Sequence, residues 1–181
     1  MKLLILMLMC LSFSSLTAGD KTRKYIPMIG DMAPAFTAES TLGTINFPAD
    51  FGNSWKIIFS HPRDFTPVCS TEILELANLQ EEFDMLGARI LVVSTDKLET
   101  HFLWKEALEE IDFKNRGPGK INFPLIDDQA YAISDIYGMS HPQAARGSNI
   151  RGVFFIDREN RIRAVFFYPN EVGRSSAEIL R

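Results

Sequence analysis

Two largely apolar runs of strand length, Trp55–Ser60 (WKIIFS) and Ala88–Ser94 (ARILVVS), bracket a segment whose apolar residues recur at helical spacing. A continuous apolar run without polar alternation belongs to a strand covered on both faces. A strand, a helix and a second strand in succession argue for parallel neighbours in one sheet, with helices packed on its faces. That constraint excludes an all-helical or all-β architecture.

The helix between the runs has readable punctuation. Thr66 stands as its N-cap, Pro67 fits the first helical position, and Val68 and Cys69 occupy the second and third. Ile73, Leu76, Ala77, Gln80 and Phe83 give it one mostly apolar face, and Gly87 is its expected stop. A second helix is expected to open on the capping-box pattern Asp96-x-x-Glu99, with Leu98, His101, Trp104, Leu108 and Ile111 as its stripe. An exposed loop over 112–120 leads to a strand over Asn122–Ile126. Asp127 and Asp128 then cap a short helix that stops at Gly138. A polar loop spans 139–149. Strands Arg151–Ile156 and Ile162–Tyr168 follow, joined by a hairpin turn at 157–160, and a last helix starts near Ser175. Upstream, short alternating runs Ala35–Glu39 and Thr44–Phe47 form a hairpin around Leu42-Gly43. The expected fold is α/β and thioredoxin-like, a mixed central sheet flanked by helices with an N-terminal hairpin.

The 181 residues, 46% hydrophobic, suffice for one well-buried core and not for two ordinary domains. A net charge of −4 with dispersed basic residues disfavours nucleic acid and anionic membrane surfaces as partners. Residues 1–19 combine Lys2, an apolar run from Leu3 to Leu16 and a small-residue end at Ala18-Gly19, the pattern of a secretory signal peptide. The folded domain is therefore expected over 26–181 and the protein outside the cytoplasm, periplasmic or secreted. A retained leader would instead leave it cytoplasmic.

Cys10 lies in that leader, so the mature chain would keep Cys69 alone. A lone cysteine forms no internal disulfide, and any redox cycle on it needs a thiol from another molecule. Its position among the unpaired N–H groups of a first helical turn favours a thiolate. An ordinary thiol is about 3% ionised at neutral pH, so full ionisation gains at most about thirtyfold. Larger accelerations must come from holding the transition state. Disulfide oxidoreductase chemistry normally wants Cys-x-x-Cys, which Cys69-Ser70-Thr71-Glu72 lacks. His61, His101 and His141 are scattered, and with one cysteine they give no metal-ligand spacing. His101 reads as a core or rim histidine of its stripe.

Pro62-x-x-x-Thr66-x-x-Cys69 matches the active-site motif of the peroxiredoxins (the alkyl hydroperoxide reductase and thiol-specific antioxidant family). SHPRDFTPVCSTE, Ser60 to Glu72, closely resembles the one-cysteine subclass. The resemblance implies a thiol-dependent peroxidase in antioxidant defence, acting on hydrogen peroxide and organic hydroperoxides through a sulfenic acid, without a prosthetic group or metal. Cys69 would be the peroxidatic nucleophile, Thr66 would contact the peroxide oxygens, and Pro62 would shield the thiolate. Arg151, opening an apolar strand where an arginine is otherwise costly, matches the family's arginine beside the thiolate. His61 would line the pocket, and Glu72 and Arg174 would pair near the site. The implied partners are a hydroperoxide and an external thiol reductant, either a thioredoxin-like protein or a small thiol. A homodimer without stable membrane association is also implied. Relatives of this subclass continue into a C-terminal extension, so stopping at Arg181 implies a missing or truncated one. Gly52-Asn53-Ser54-Trp55-Lys56 lacks the second glycine of the phospholipase motif some relatives carry, and Ser54 reads as a turn residue. The non-enzymatic alternative is a peroxide sensor or holdase switched by the same cysteine.

Overall fold

The computed structural model describes residues 26–140 and 149–181. The leader with Cys10, and the stretch of the polar loop that holds His141, lie outside the described residues. Strands β1 (Phe36–Ala38) and β2 (Ile45–Phe47) form the expected hairpin, with Phe36 opposite Phe47. The main sheet comprises β3 (Trp55–Ser60), β4 (Ala88–Ser94), β5 (Leu125–Asp127), β6 (Arg151–Ile156) and β7 (Ile162–Tyr168), in spatial order β5-β4-β3-β6-β7. β3, β4 and β5 run parallel, while β6 and β7 add antiparallel strands on the other side of β3. This is the mixed sheet the order of elements predicts.

Side-chain alternation along the central strands explains their continuous apolarity. Ile57 and Phe59 of β3, with Ile90 and Val92 of β4, face one core. Ile58, Leu91 and Val93 face the other. The first core is closed by α1 (Pro67–Asn78), α2 (Gln80–Met85), α3 (Leu98–Glu109) and α5 (Ser176–Leu180). The second is closed by β2 and by α4 (Ala132–Ile136). Both faces of the sheet are thus out of water, as such strands require.

Four boundaries differ from the sequence reading. The helix from Pro67 breaks at Leu79 (φ −108°, ψ 5°), where Leu79 N–H reaches back to Leu76 O in a tightened turn. Gln80, assigned to the apolar face, instead bonds the backbone of Lys120 and Asn122 at 2.6 and 2.9 Å. Asp96 does not cap α3: Lys97 is the N-cap, and the Leu98 amide is taken by Asp127 Oδ2 at 3.1 Å. Ile111 falls beyond α3 and is 42% exposed. The strand expected over 122–126 is limited to Leu125–Asp127, although Ile121 and Phe123 are buried.

Gly138 stops α4 as expected, in the left-handed region at φ 66°. A Cβ there would overlap the Ile26 side chain. Gly138→Ala is therefore expected to lower stability by about 1–2 kcal/mol, the cost of a left-handed alanine, with a reduced thermal midpoint and unchanged chemistry at Cys69.

Candidate active site

The end of β3 delivers the chain into a short loop, and α1 begins at Pro67 with Thr66 in extended conformation as its N-cap residue. The Thr66 hydroxyl does not cap the helix, because it donates to Arg63 O at 2.9 Å. Cys69 is the third helical residue, solvent-inaccessible and unbridged. In the loop before the helix Pro62 is buried and Arg63 is exposed.

Sheet register brings the distant arginine to this point. β6 runs antiparallel to β3 with Phe59 opposite Val153, so Arg151, two residues earlier on β6, lies beside the end of β3. Its Nη1 stands 3.4 Å from Cys69 Sγ. The same nitrogen donates to Glu72 Oε2 in a short ion pair. Nε and Nη2 donate to Asn170 O at 3.0 and 2.9 Å, which fixes the plane of the guanidinium.

Glu72, one turn after Cys69, holds a second guanidinium. Arg174 Nε donates to Glu72 Oε1 at 2.9 Å, and Nη2 to Oε2 at 3.0 Å, the bidentate fork suited to a carboxylate. The Arg174 backbone N–H adds a bond to Oε1 at 2.6 Å. Arg174 Nη1 ties the cluster to the sheet through Ser60 O at 2.7 Å and Gly152 O at 2.9 Å. Its guanidinium carbon lies 3.4 Å from the centre of the Phe59 ring. Gly173 lets this segment approach, since a Cβ there would press on Val68 at 3.2 Å.

All three charged side chains are 3% exposed or less. Burial pushes the Glu72 carboxyl upward, but bonding and charge from Arg174, with Arg151 adding, outweigh it and hold Glu72 below the usual carboxylate range. Burial likewise pulls Arg174 down against the opposing pull of Glu72. Two cations and one anion leave a net positive charge at the sulfur.

On the other side of the loop, His61 is fully buried, with Nε2 2.7 Å from Asp64 Oδ1. His101 is buried as the stripe suggests, and its Nδ1 lies 2.6 Å from Asp64 Oδ2. Sequence reasoning passed over Asp64, Asn170 and Ser60. Asp64 carried a signal, an acid three residues after His61. Asn170 and Ser60 act through backbone carbonyls and carried none. His61, Asp64 and Asp96 crowd closely enough to suggest a metal, but each of their near oxygens already accepts a proton donor.

Glu72→Gln is expected to cost about 3–5 kcal/mol at neutral pH, because it strands two buried cations. A depressed carboxyl contributes stability that is present above its unfolded pKa and is lost as pH falls through the folded value. Urea denaturation of the wild type should therefore show an acid-side loss that the Gln variant lacks.

The sequence profile of the AhpC/TSA family matches residues 29–165. A peroxiredoxin of Methanosarcina mazei is 43% identical over 157 residues, covering 86% of this chain and 72% of that protein. The 1-Cys peroxiredoxin of Dictyostelium discoideum is 41% identical over 153 residues, 84% of this chain and 61% of its own length. Among solved structures, a mutant of peroxiredoxin 6 from Arenicola marina superposes with a TM-score of 0.78 at 32% identity, covering 85% of this chain and 70% of that one. A yeast mitochondrial 1-Cys peroxiredoxin, described for its thiol resolving mechanism via glutathione/thioredoxin systems, gives 0.76 at 36% identity, covering 86% and 74%. The chain belongs to the AhpC/TSA family as a peroxiredoxin, a class of thiol-dependent peroxidases with a thioredoxin-like fold.

Proposed function

We propose that Cys69 is the peroxidatic residue of a one-cysteine cycle. Its thiolate attacks one oxygen of a hydroperoxide, the O–O bond breaks, and the leaving oxygen takes a proton to depart as water or an alcohol. Cys69 is left as a sulfenic acid. The observation that carries this reading is the 3.4 Å approach of Arg151 Nη1 to Cys69 Sγ inside a cluster that lacks one negative charge. A fixed guanidinium there stabilises both the thiolate and the charge developing on the peroxide. Thr66, at the mouth of the helix, offers its hydroxyl oxygen to the peroxide, while buried Pro62 walls the sulfur from water. Glu72 and Arg174 hold Arg151 in place, and His61 backs the loop.

An external thiol then returns Cys69 to the reduced state. Cys69 is the one free cysteine among the described residues, and the yeast relative is described with glutathione and thioredoxin systems. A thioredoxin-like protein or a small thiol fits that step. We also place the protein outside the cytoplasm, on the leader pattern of residues 1–19, and as a homodimer, for which β7 offers an edge of the sheet beyond Ile162, where the segment at 30–31 pairs with it. Among the described residues no helix is long and apolar enough to cross a membrane.

With a dithiol reductant, the mature protein should consume peroxide catalytically, and Cys69→Ser should abolish turnover. Arg151→Ala should slow the oxidation step by about 10²–10³-fold, the loss typical of one charge-stabilising donor. Equal, slow consumption by wild type and Cys69→Ser would refute the enzyme reading; a single turnover under every reductant would favour a sensor. Intact mass of the exported protein should lack residues 1–18 or 1–19, and sedimentation should give twice the chain mass.

A further inference from the structure

One loop away from the sulfur, the Asp64 carboxylate stands between two imidazoles. Its Oδ1 is 2.7 Å from His61 Nε2 and its Oδ2 2.6 Å from His101 Nδ1, with all three side chains 1% exposed or less. His61 and Asp64 share the loop between β3 and α1, and His101 comes from α3. The Asp64 amide donates to Asp96 Oδ2 at 2.8 Å, which also accepts from Ser94 Oγ at 3.1 Å.

The remaining ring nitrogens separate the two histidines. His101 Nε2 faces the Ile126 carbonyl at 3.2 Å. A carbonyl and a carboxylate can only accept, so His101 meets both partners only with hydrogen on both nitrogens. A neutral ring would set a lone pair against an oxygen lone pair in a site closed to solvent. Among the described residues His61 Nδ1 has no partner. Hydrogen on Nε2 alone satisfies Asp64 there, whereas a doubly protonated His61 would bury an unmet N–H.

Charge balance agrees with this assignment. Burial pulls His61 down, with Asp64 opposing. Burial pushes the Asp64 carboxyl up, but bonds from His101 and His61 outweigh it and keep the group ionised. One buried anion then pairs with one buried cation, the combination that burial tolerates. Charged groups near this end of α3 include Asp96, in the turn after β4, Asp127 of β5, whose Oδ2 accepts from Leu98 N–H, and α3's own Lys97 at the N-cap and Glu99 in the first turn. On the opposite side, the Trp104 ring packs 5.0 Å from His61, and its Nε1 donates to Ser70 Oγ at 3.2 Å, next to Cys69.

We propose that His101 is a positioning residue for the peroxide reaction. As an imidazolium it neutralises Asp64, anchors the loop from Pro62 to Thr66 onto α3 and β5, and holds His61 as the neutral Nε2–H tautomer with a bare Nδ1. The wall beside the cysteine's loop thus presents a hydrogen-bond acceptor instead of a second cation. The kinetic part rests on the peroxidase reading; the protonation assignment does not.

The test is ring-nitrogen NMR on the full chain with 15N-labelled histidine at neutral pH, with signals assigned by single substitutions. His101 should show two protonated nitrogens, and His61 should show a protonated Nε2 and a bare Nδ1. His101→Asn keeps an N–H donor toward Asp64 without the charge. In it His61 should become doubly protonated, and the rate constant for Cys69 oxidation should fall about ten- to hundredfold, as for a site displaced from its reactive geometry. The pH profile of that rate should move with it. An unprotonated nitrogen on wild-type His101 overturns the proposal, as does a His101→Asn protein with unchanged His61 signals and unchanged oxidation rate. If that variant does not fold, the wild-type spectrum decides. If the wild type shows the expected spectrum but no Cys69-dependent peroxide consumption, the peroxidase reading fails and the charge assignment stands.

Discussion

The carboxylate of Glu72 holds together three segments that are far apart in the chain. It sits on α1, accepts from Arg151 at the start of β6, and takes a forked pair of bonds from Arg174 beyond β7. Each ion is almost fully buried, so none is tolerable alone: an isolated charge in such surroundings costs several kcal/mol. Together they still lack one negative charge. The helix start supplies unpaired N–H groups and the cluster supplies net positive charge, and both act on the same sulfur.

The sheet makes this meeting possible. Because β6 runs antiparallel to β3, its first residue is level with the end of β3, where the loop to α1 departs. A parallel partner at that place would have offered its last residue instead. The antiparallel addition to a parallel core is therefore what brings an arginine from late in the chain beside a cysteine from its middle. The backbone carbonyls of Ser60 and Gly152, on β3 and β6, then receive the second arginine. Strand ends and ion cluster fix one another.

Local chemistry made part of this legible. Thr66, Pro67 and the helical spacing after them place Cys69 in the first turn of α1 from sequence alone, and an arginine opening an apolar strand marks Arg151 as unusual. The pairing of Glu72 with Arg174 came from resemblance, because 102 residues separate partners that no periodicity connects. The misreadings share a cause. Asp96 fits a capping pattern, yet its carboxylate is claimed by the Asp64 amide from 32 residues away. Gln80 fits a helix face, yet the loop at 120–122 takes its amide and accompanies a break at Leu79. In each case a long-range hydrogen bond outcompeted a local preference of about 1 kcal/mol or less.

Arg174 fastens to Ser60 O on one side of the loop, while Asp64 fastens to the imidazoles of His61 and His101 on the other. The residues from His61 to Thr66 are therefore held between two charge-bearing clusters that meet at Ser60, the last residue of β3, and His61, which follows it. A loop held in this way has lost its conformational entropy during folding, not at the moment of reaction. In the proposed reaction, preorganised dipoles and charges would not have to reorient as charge moves from sulfur to oxygen, which is where such sites gain most of their rate. The apolar core beneath Cys69, from Ile73 to Trp104, adds to this by keeping water from screening the guanidinium. Charge placement, loop rigidity and dryness thus have one origin, the closure of α1, α3 and the β3–β6 end of the sheet around a single sulfur.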